Sequence, residues 1–424
     1  MLLSARRQAK RTKGSRMARQ QELLALFSDP RGTSRIDLAR RLGRSPSKIG
    51  GLVRRLLQLG LVTEERPVET ARGRRPILLR PASDLGFLLG VDIGLINLRA
   101  VVTDMRGEVL GSKETQSNAR ADLETASKSL LAATDSLLIE SRVPREKLRA
   151  IGISHSGGID PETGKCLYWH SARHWTGVPL RQMFGDRYGV PTRVDDSAHC
   201  MAFAEKVFGK GQDSSDFVFI NVGQGIGAGL FLGGRLYKGT SGVAGELGHT
   251  IIKPDGPRCS CGNHGCLEAL ASGGSMMDTA LAAVKDNVTT VLWETVDRGE
   301  PITVQTISRA ARAGDRLARR ILENAGLYLG LAIANLVNLL NPPLIVLGGG
   351  CMETAGDLLL DEIIRAASGA AFEAAYSRTR ITTSELGPMA AARGAALMVT
   401  QPALESIWNQ RLRSAKSTRA QLTA

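Results

Sequence analysis

Apolar residues recur at helical spacing through the first sixty positions and at strand spacing after about residue 85. From Gln20, the residues Leu23, Leu24, Leu26 and Phe27 form one apolar stripe that ends near Asp29-Pro30-Arg31-Gly32. Ser34 stands three residues before Asp37, the spacing of a capping box. It predicts a helix over 35–42 with Ile36, Ala39 and Leu42 inward and Gly43 as its end. Ser45-Pro46 supplies an N-cap and a first-turn proline for a third helix. That helix runs to about Leu59, with Ile49, Leu52, Val53, Leu56 and Leu57 on its inner face and Gly60 as its stop. Leu61 to Glu64 reads as a turn. Arg72-Gly73-Arg74-Arg75-Pro76, followed by the apolar run Ile77-Leu78-Leu79, reads as the basic tip and returning strand of a two-stranded wing.

A short helix, a glycine turn and a second helix with polar N-terminal residues make a helix-turn-helix. In that geometry Ser45, Ser47, Lys48 and Gly51 approach the major groove of DNA, while Arg54 and Arg55 lie nearer phosphate. Arg72, Arg74 and Arg75 flank a glycine and suit a narrow minor groove. Gly50 and Gly51 each cost about 1 kcal/mol relative to alanine inside a helix. They either permit close approach to DNA or are simply tolerated. Charge sharpens this reading. Residues 1–80 hold 20 Lys/Arg against 6 Asp/Glu, and the rest of the chain is balanced, so the whole excess of +14 sits at the front. Such a field attracts polyanions, nucleic acid first, because counterion release rewards each phosphate neutralised. A solubilising tail accounts for Arg6 to Arg19 but not for the patterned part.

Past Pro81 the pattern changes to strands and glycine turns. Phe87 to Gly94 is an apolar strand ending in a turn, and Leu98 to Asp104 returns as a second strand. A similar unit recurs at Phe217–Val222, Gly223-Gln224-Gly225 and Ile226–Leu232. Ile345-Val346-Leu347-Gly348-Gly349-Gly350 is a buried strand ending in a glycine turn. Two strand–turn–strand units, one per half, predict two lobes around a cleft. No apolar run is long enough to span a membrane. The opening Met1-Leu2-Leu3-Ser4, followed by basic residues, lacks the order of a signal peptide.

Three of the six cysteines fall in Cys259-Ser260-Cys261-Gly262-Asn263-His264-Gly265-Cys266, with His249 upstream. The spacing His-x9-Cys-x-Cys-x4-Cys offers His249, Cys259, Cys261 and Cys266 as a closed tetrahedral set, which predicts structural rather than catalytic Zn2+. Gly262 and Gly265 permit the tight backbone that so short a loop needs. Ordinary buried thiols are the alternative. A metal site of this kind fits a reducing compartment and predicts a cytoplasmic protein.

Glu246-x-Gly-His249, followed by Cys-x-Cys-Gly-x-x-Gly-Cys-Leu-Glu268, resembles the signature of the ROK family, named for repressors, open reading frames and kinases. The resemblance covers roughly Leu85 to Met398, and the segment ahead of it looks like the winged helix of ROK-type regulators. It implies an α/β fold: an N-terminal winged helix-turn-helix followed by a two-lobed actin-like, sugar-kinase-type (ribonuclease H-like) domain. The expected boundaries are a basic tail over 1–15, the winged helix-turn-helix over 16–82, the kinase-like domain over 83–403 and a tail without legible pattern over 404–424.

Kinase relatives carry Asp-x-Gly-Gly-Thr at the first turn, Gly-Thr-Gly at the second, and Glu-Asn-Asp-Ala-Asn around the catalytic base. This chain reads Asp92-Ile93-Gly94-Leu95-Ile96, Gly223-Gln224-Gly225 and Asp195-Asp196-Ser197-Ala198-His199. The base position thus falls on Ser197, which cannot act as a base near neutral pH unaided. The resemblance implies that Gly157, Glu246, His249 and Glu268 reach a sugar, and Asp196 can accept from a hydroxyl in place of the family's asparagine and aspartate. Trp175 resembles the tryptophan that follows the family's sugar-contacting asparagine, whose own place is taken by Ser171 or Ala172. The expected function is a DNA-binding, sugar-sensing regulator, a repressor by resemblance, acting as a homodimer or higher homo-oligomer without catalysis or membrane contact. A sugar kinase with an appended DNA-binding arm is the alternative.

Overall fold

The computed structural model describes residues 32–65 and 77–421. The basic tail, the stripe from Leu23 to Phe27 and the wing tip with Arg72, Arg74 and Arg75 lie outside the described residues.

The first module comprises β1 (Thr33–Ser34), α1 (Arg35–Leu42), α2 (Pro46–Gln58), β2 (Val62–Glu65) and β3 (Leu78–Pro81). Its sheet has the order β1-β3-β2, with both pairs antiparallel. Ser34 caps α1 without the reciprocal backbone bond of a full capping box: its hydroxyl accepts the Asp37 N–H at 3.1 Å and donates to the Asp37 carboxylate at 2.6 Å. Gly43 ends α1 at φ +58°. Ser45 has the extended backbone of an N-cap but makes no side-chain cap bond, so the first-turn proline marks this start.

Three expectations change here. Ile36 is 68% exposed, and Leu38 is the fully buried residue of α1. The segment taken for a turn is strand β2, whose Glu64 pairs with Arg35 and whose Glu65 pairs with Arg80 and Arg106. The wing sheet has a third strand, because β1 adds to β3.

The first lobe follows: β4 (Phe87–Ile93), β5 (Asn97–Asp104), β6 (Val109–Gln116), α3 (Leu123–Glu140), β7 (Leu148–His155), β8 (Gly158–Ile159), β9 (Cys166–Tyr168), α4 (Leu180–Tyr188) and β10 (Thr192–Asp196). Helix α5 (Ser197–Phe208) leads out of it. The second lobe holds β11 (Phe217–Val222), β12 (Ile226–Leu232), β13 (Arg235–Tyr237), α6 (Leu267–Ala271), α7 (Gly273–Lys285), α8 (Leu292–Asp297), α9 (Val304–Arg312), α10 (Arg316–Leu340), β14 (Leu344–Gly348), α11 (Gly350–Ala370), α12 (Glu373–Tyr376) and β15 (Arg380–Thr383). The lobe sheets have the orders β10-β7-β4-β5-β6 and β13-β12-β11-β14-β15. In each, an antiparallel three-strand meander is extended by two parallel strands. The same topology occurs twice, which is the two-lobed actin-like architecture.

The chain then returns through α13 (Ala390–Met398) and α14 (Thr400–Gln421). Residues 404–421, patternless in sequence, are therefore helical. Ala403, Leu404, Ile407 and Trp408 enter one core with Leu38, Ile49, Val53 and Leu56 of the first module and Leu88 and Val101 of the first lobe. Arg411 donates to the Leu59 carbonyl at the end of α2. Arg106 of the first lobe donates to the Pro81 carbonyl at 2.8 Å and to Thr63 at 3.2 Å. The helix-turn-helix is thus packed onto the first lobe rather than hung from a linker. Among the described residues, no helix is long and apolar enough to cross a membrane.

Candidate ligand cleft, metal loop and helix-turn-helix

His249 closes a single turn of 3-10 helix, and Cys266 is the cap residue before α6. The loop between them doubles back through isolated bridges, Ile251 with Cys266 and Arg258 with His264. Gly265 has φ +69°, and a Cβ there would lie 1.5 Å from the Lys253 carbonyl oxygen, so only glycine fits. This folding gathers one ligand atom each from His249, Cys259, Cys261 and Cys266 within 4.8 Å of one another. Cys261 and Cys266 Sγ are 3.7 Å apart, and Cys259 Sγ is 3.6 Å from His249 Nδ1. Bonds of about 2.3 Å to tetrahedral zinc separate two thiolates by roughly 3.8 Å. The donor set therefore fits a four-coordinate metal with no open position. His249 Nε2 faces Glu246 Oε2 at 3.8 Å. A metal held on Nδ1 leaves the proton on Nε2, directed at that carboxylate.

Glu246 belongs to a cleft between the lobes. Its Oε1 accepts from the Tyr168 hydroxyl at 2.7 Å. Asp196 ends β10 and caps α5, accepting the Ala198 N–H at 2.8 Å. Burial, with Glu246 and Asp195 adding repulsion, pushes the Asp196 carboxyl up to about 6. Asp195 binds both Lys238 and His199, whose Nδ1 lies 2.9 Å away. These cations hold its carboxyl down at about 2 against the effect of burial. His199 Nε2 lies 2.8 Å from the Ala244 carbonyl. Both ring nitrogens therefore face acceptors, and the ring is favoured as the imidazolium, consistent with its raised pKa. The cavity among these groups measures ≈30 Å³, against about 300–1,000 Å³ for typical ligand sites. The cavity is small for a sugar and remains partly open to solvent.

Of the residues expected at the sugar, Asp196 and Glu246 line this cavity, while Gly157, His249 and Glu268 lie outside its lining. Glu268 accepts the Ile226 N–H at 3.0 Å and so ties α6 to β12. Gly157 is buried and lies against the Tyr168 carbonyl, 2.3 Å from where a Cβ would sit. Trp175 is 1% exposed and donates to the Ala119 carbonyl at 3.0 Å, which makes it a core residue of the first lobe. Tyr168, Asp195 and Lys238 were missed as cleft residues. Only the adjacency of Asp195 to Asp196 hinted at any of them.

The kinase-type positions are filled by the chain's own groups. Asp92 accepts from Ser154 at 2.6 Å and lies 4.0 Å from Arg99, and burial raises its carboxyl to about 6. The first amides of α7 donate to the carbonyls of the second turn, Gly273 to Gly223 at 2.8 Å and Gly274 to Gln224 at 3.3 Å. Beside the turn after β14 lies a hollow of ≈300 Å³ lined in part by Glu353 and Asp357, with no lysine or arginine in the lining. Ser197 is 8% exposed at the start of α5. On α2, Ser47, Lys48, Gly51 and Arg54 are exposed, as is Ser45 just ahead of it, while Ile49, Val53 and Leu56 face the core. Arg55 is turned toward Trp408, 5.9 Å from the ring centroid.

A two-lobed, duplicated sheet with a His/Cys3 loop beside the interlobe cleft defines the class. The ROK family model matches residues 88–402, and the chain belongs to that family. It is 30% identical to the xylose repressor of Caldicellulosiruptor bescii over 379 residues, covering 89% of this chain and 94% of the relative. It is 31% identical to the DNA-binding transcriptional dual regulator NagC of Escherichia coli over 384 residues, covering 89% and 91%. A solved ROK family transcriptional regulator, a homologue of the Escherichia coli MLC protein, superposes with a TM-score of 0.74 at 29% identity. That match covers 91% of this chain and 96% of the other.

Proposed function

We propose that this protein is a DNA-binding transcriptional repressor of the ROK family, whose cleft binds a sugar or sugar derivative without phosphorylating it. The observation that carries the reading is Ser197 at the position of the base, together with Leu95 and Ile96 where the first turn of a kinase has glycine and a hydroxyl. The names of the relatives, a xylose repressor and a DNA-binding regulator, agree with it. Asp196 and Glu246 accept from sugar hydroxyls. His249 and Glu268 hold the loop that carries Glu246, and Gly157 lets the backbone approach closely. Structural Zn2+ on His249, Cys259, Cys261 and Cys266 fixes that loop. A sugar larger than the present cavity requires its walls to part, and such a difference between states would couple binding to the attached helix-turn-helix. A homodimer in the cytoplasm presents two such modules to paired half-sites.

On DNA, Ser45, Ser47 and Lys48 enter the major groove and Arg54 meets phosphate, with Arg72, Arg74 and Arg75 at the minor groove. Among the described residues, nothing lies within 4 Å of a Cβ built at Gly50 or Gly51, so their packing does not require glycine there. Close approach of DNA does. Gly51→Ala is expected to stabilise the protein by up to about 1 kcal/mol and to weaken operator binding at least tenfold. Opposite signs in calorimetry and anisotropy separate this from a merely tolerated glycine. The general test is fluorescence anisotropy on the protein's own upstream DNA, titrated with sugars at fixed salt. Tight binding shifted by one sugar is expected. Absence of specific binding, with measurable ATP turnover, would replace the repressor by a kinase.

A further inference from the structure

Resting on the sugar-binding reading of the cleft, we infer that Asp195 makes this site select uncharged ligands over phosphorylated or carboxylated ones. The lining contains two cationic groups, Lys238 and His199, and three carboxylates, Asp195, Asp196 and Glu246. Both cations are committed to Asp195. Lys238 donates to Oδ2, and His199 Nδ1 lies 2.9 Å from Oδ1 while its Nε2 is held by the Ala244 carbonyl.

What remains for a ligand is a pair of acceptors. Asp196 has backbone amides of α5 as its hydrogen-bond partners, and Glu246 has Tyr168. A neutral polyol brings donors to these carboxylates. A phosphate or carboxylate brings negative charge beside them, with no uncommitted cation in the lining among the described residues. The raised Asp196 carboxyl shows how poorly the cleft already supports the negative charge it has. Asp195 acts through Lys238 and His199, whose charge it neutralises, so it is a positioning residue that sets charge class.

The experiment is isothermal titration of the full-length protein with three matched pairs at one ionic strength. These are glucose and glucose 6-phosphate, N-acetylglucosamine and its 6-phosphate, and xylose and xylonate. For at least one pair the neutral member is expected to bind at least twentyfold tighter. Asp195→Asn releases Lys238 and His199 and should move that ratio more than tenfold toward the anion. Adding Lys238→Met should remove most of the gain, which a general loosening of the site would not do. Where Asp195→Asn does not fold, Lys238→Gln gives the inverse reading: the anion weakens further while the neutral sugar changes less than threefold. An anionic member that binds the parent as tightly as its neutral partner overturns the selectivity but leaves the sensor intact. So does a ratio unmoved in whichever variant folds. No binding by any of the six compounds, and no effect of any on DNA affinity, removes the sensor reading and this inference with it.

Discussion

Cys266→Ser is expected to abolish the metal binding proposed for this loop, lower the melting temperature by several degrees and abolish the response to sugar, while leaving operator affinity within about threefold. Cys266 is fully buried, and its Sγ faces that of Cys261 at 3.7 Å. It also caps α6, whose Glu268 holds the Ile226 amide of β12. Losing the metal therefore loosens the loop, the start of α6 and the segment carrying Glu246 together. Structural zinc contributes about 10 kcal/mol or more to isolated zinc-finger peptides, which have little else to hold them. Here the surrounding lobe has its own core around Val218, Ile220, Leu329 and Ile345, so the loss stays local. The helix-turn-helix packs in a different core, to which no residue of 249–266 belongs, and should keep its grip on DNA. Metal analysis, calorimetry and anisotropy on one preparation check all three parts. A variant that keeps a full equivalent of metal, or responds normally to sugar, would show that the four residues do not act as one site.

Features written in neighbouring residues were legible before the structure. Ser34 and Asp37 announce a cap, Gly43 and Gly60 announce ends, and His249, Cys259, Cys261 and Cys266 lie close enough in sequence for their spacing to announce a cluster that could hold a metal. Both strand–turn–strand units could be read because their strands are buried and their partners adjacent. Features decided by distant partners were not legible. Helix α1 has only eight residues, and which face is buried depends partly on α14, more than 350 residues later, so Ile36 was assigned to the wrong side. Strand β2 carries two glutamates whose partners are Arg35, Arg80 and Arg106, and without β3 beside it Val-Thr-Glu-Glu looks like a turn. Helix α14 buries Ala403, Leu404, Ile407 and Trp408 near its start, too short an apolar stripe to recognise among the polar residues that follow. Lys238 reaches the local Asp195–His199 pair only because the chain after β13 returns to it, a tertiary event with no local signature.

A tight packing constraint between helices lies where the lobes meet the path to the helix-turn-helix, and Gly394→Ala tests it. Helix α13, with the sequence Ala-Ala-Ala-Arg-Gly-Ala-Ala-Leu-Met, lies backbone to backbone against its neighbours. A Cβ at Gly394 would sit 1.8 Å from the Cys200 carbonyl oxygen of α5. Cβ atoms at Gly90 of β4 and Gly152 of β7 would sit 1.9 and 1.8 Å from the Ala392 and Ala395 carbonyl oxygens of α13. The obstruction at Gly394 is a helix backbone, which cannot swing aside as a side chain can. One methyl group must therefore separate α5 from α13. Overpacking typically costs about 1–3 kcal/mol and occasionally more; a rigid backbone obstruction puts this site at the upper end, beyond the roughly 1 kcal/mol that alanine returns as a better helix former. Gly185→Ala in α4 is the control, since nothing lies within 4 Å of a Cβ there, and it should leave the melting temperature unchanged or raise it. Helix α5 begins beside Asp196 in the cleft, and α13 leads through α14 to Trp408 under the helix-turn-helix. The same displacement should therefore change the sugar concentration needed to shift DNA affinity. If Gly394→Ala and Gly185→Ala melt alike, the close helix contact is not a constraint, and neither is the route it offers from cleft to DNA.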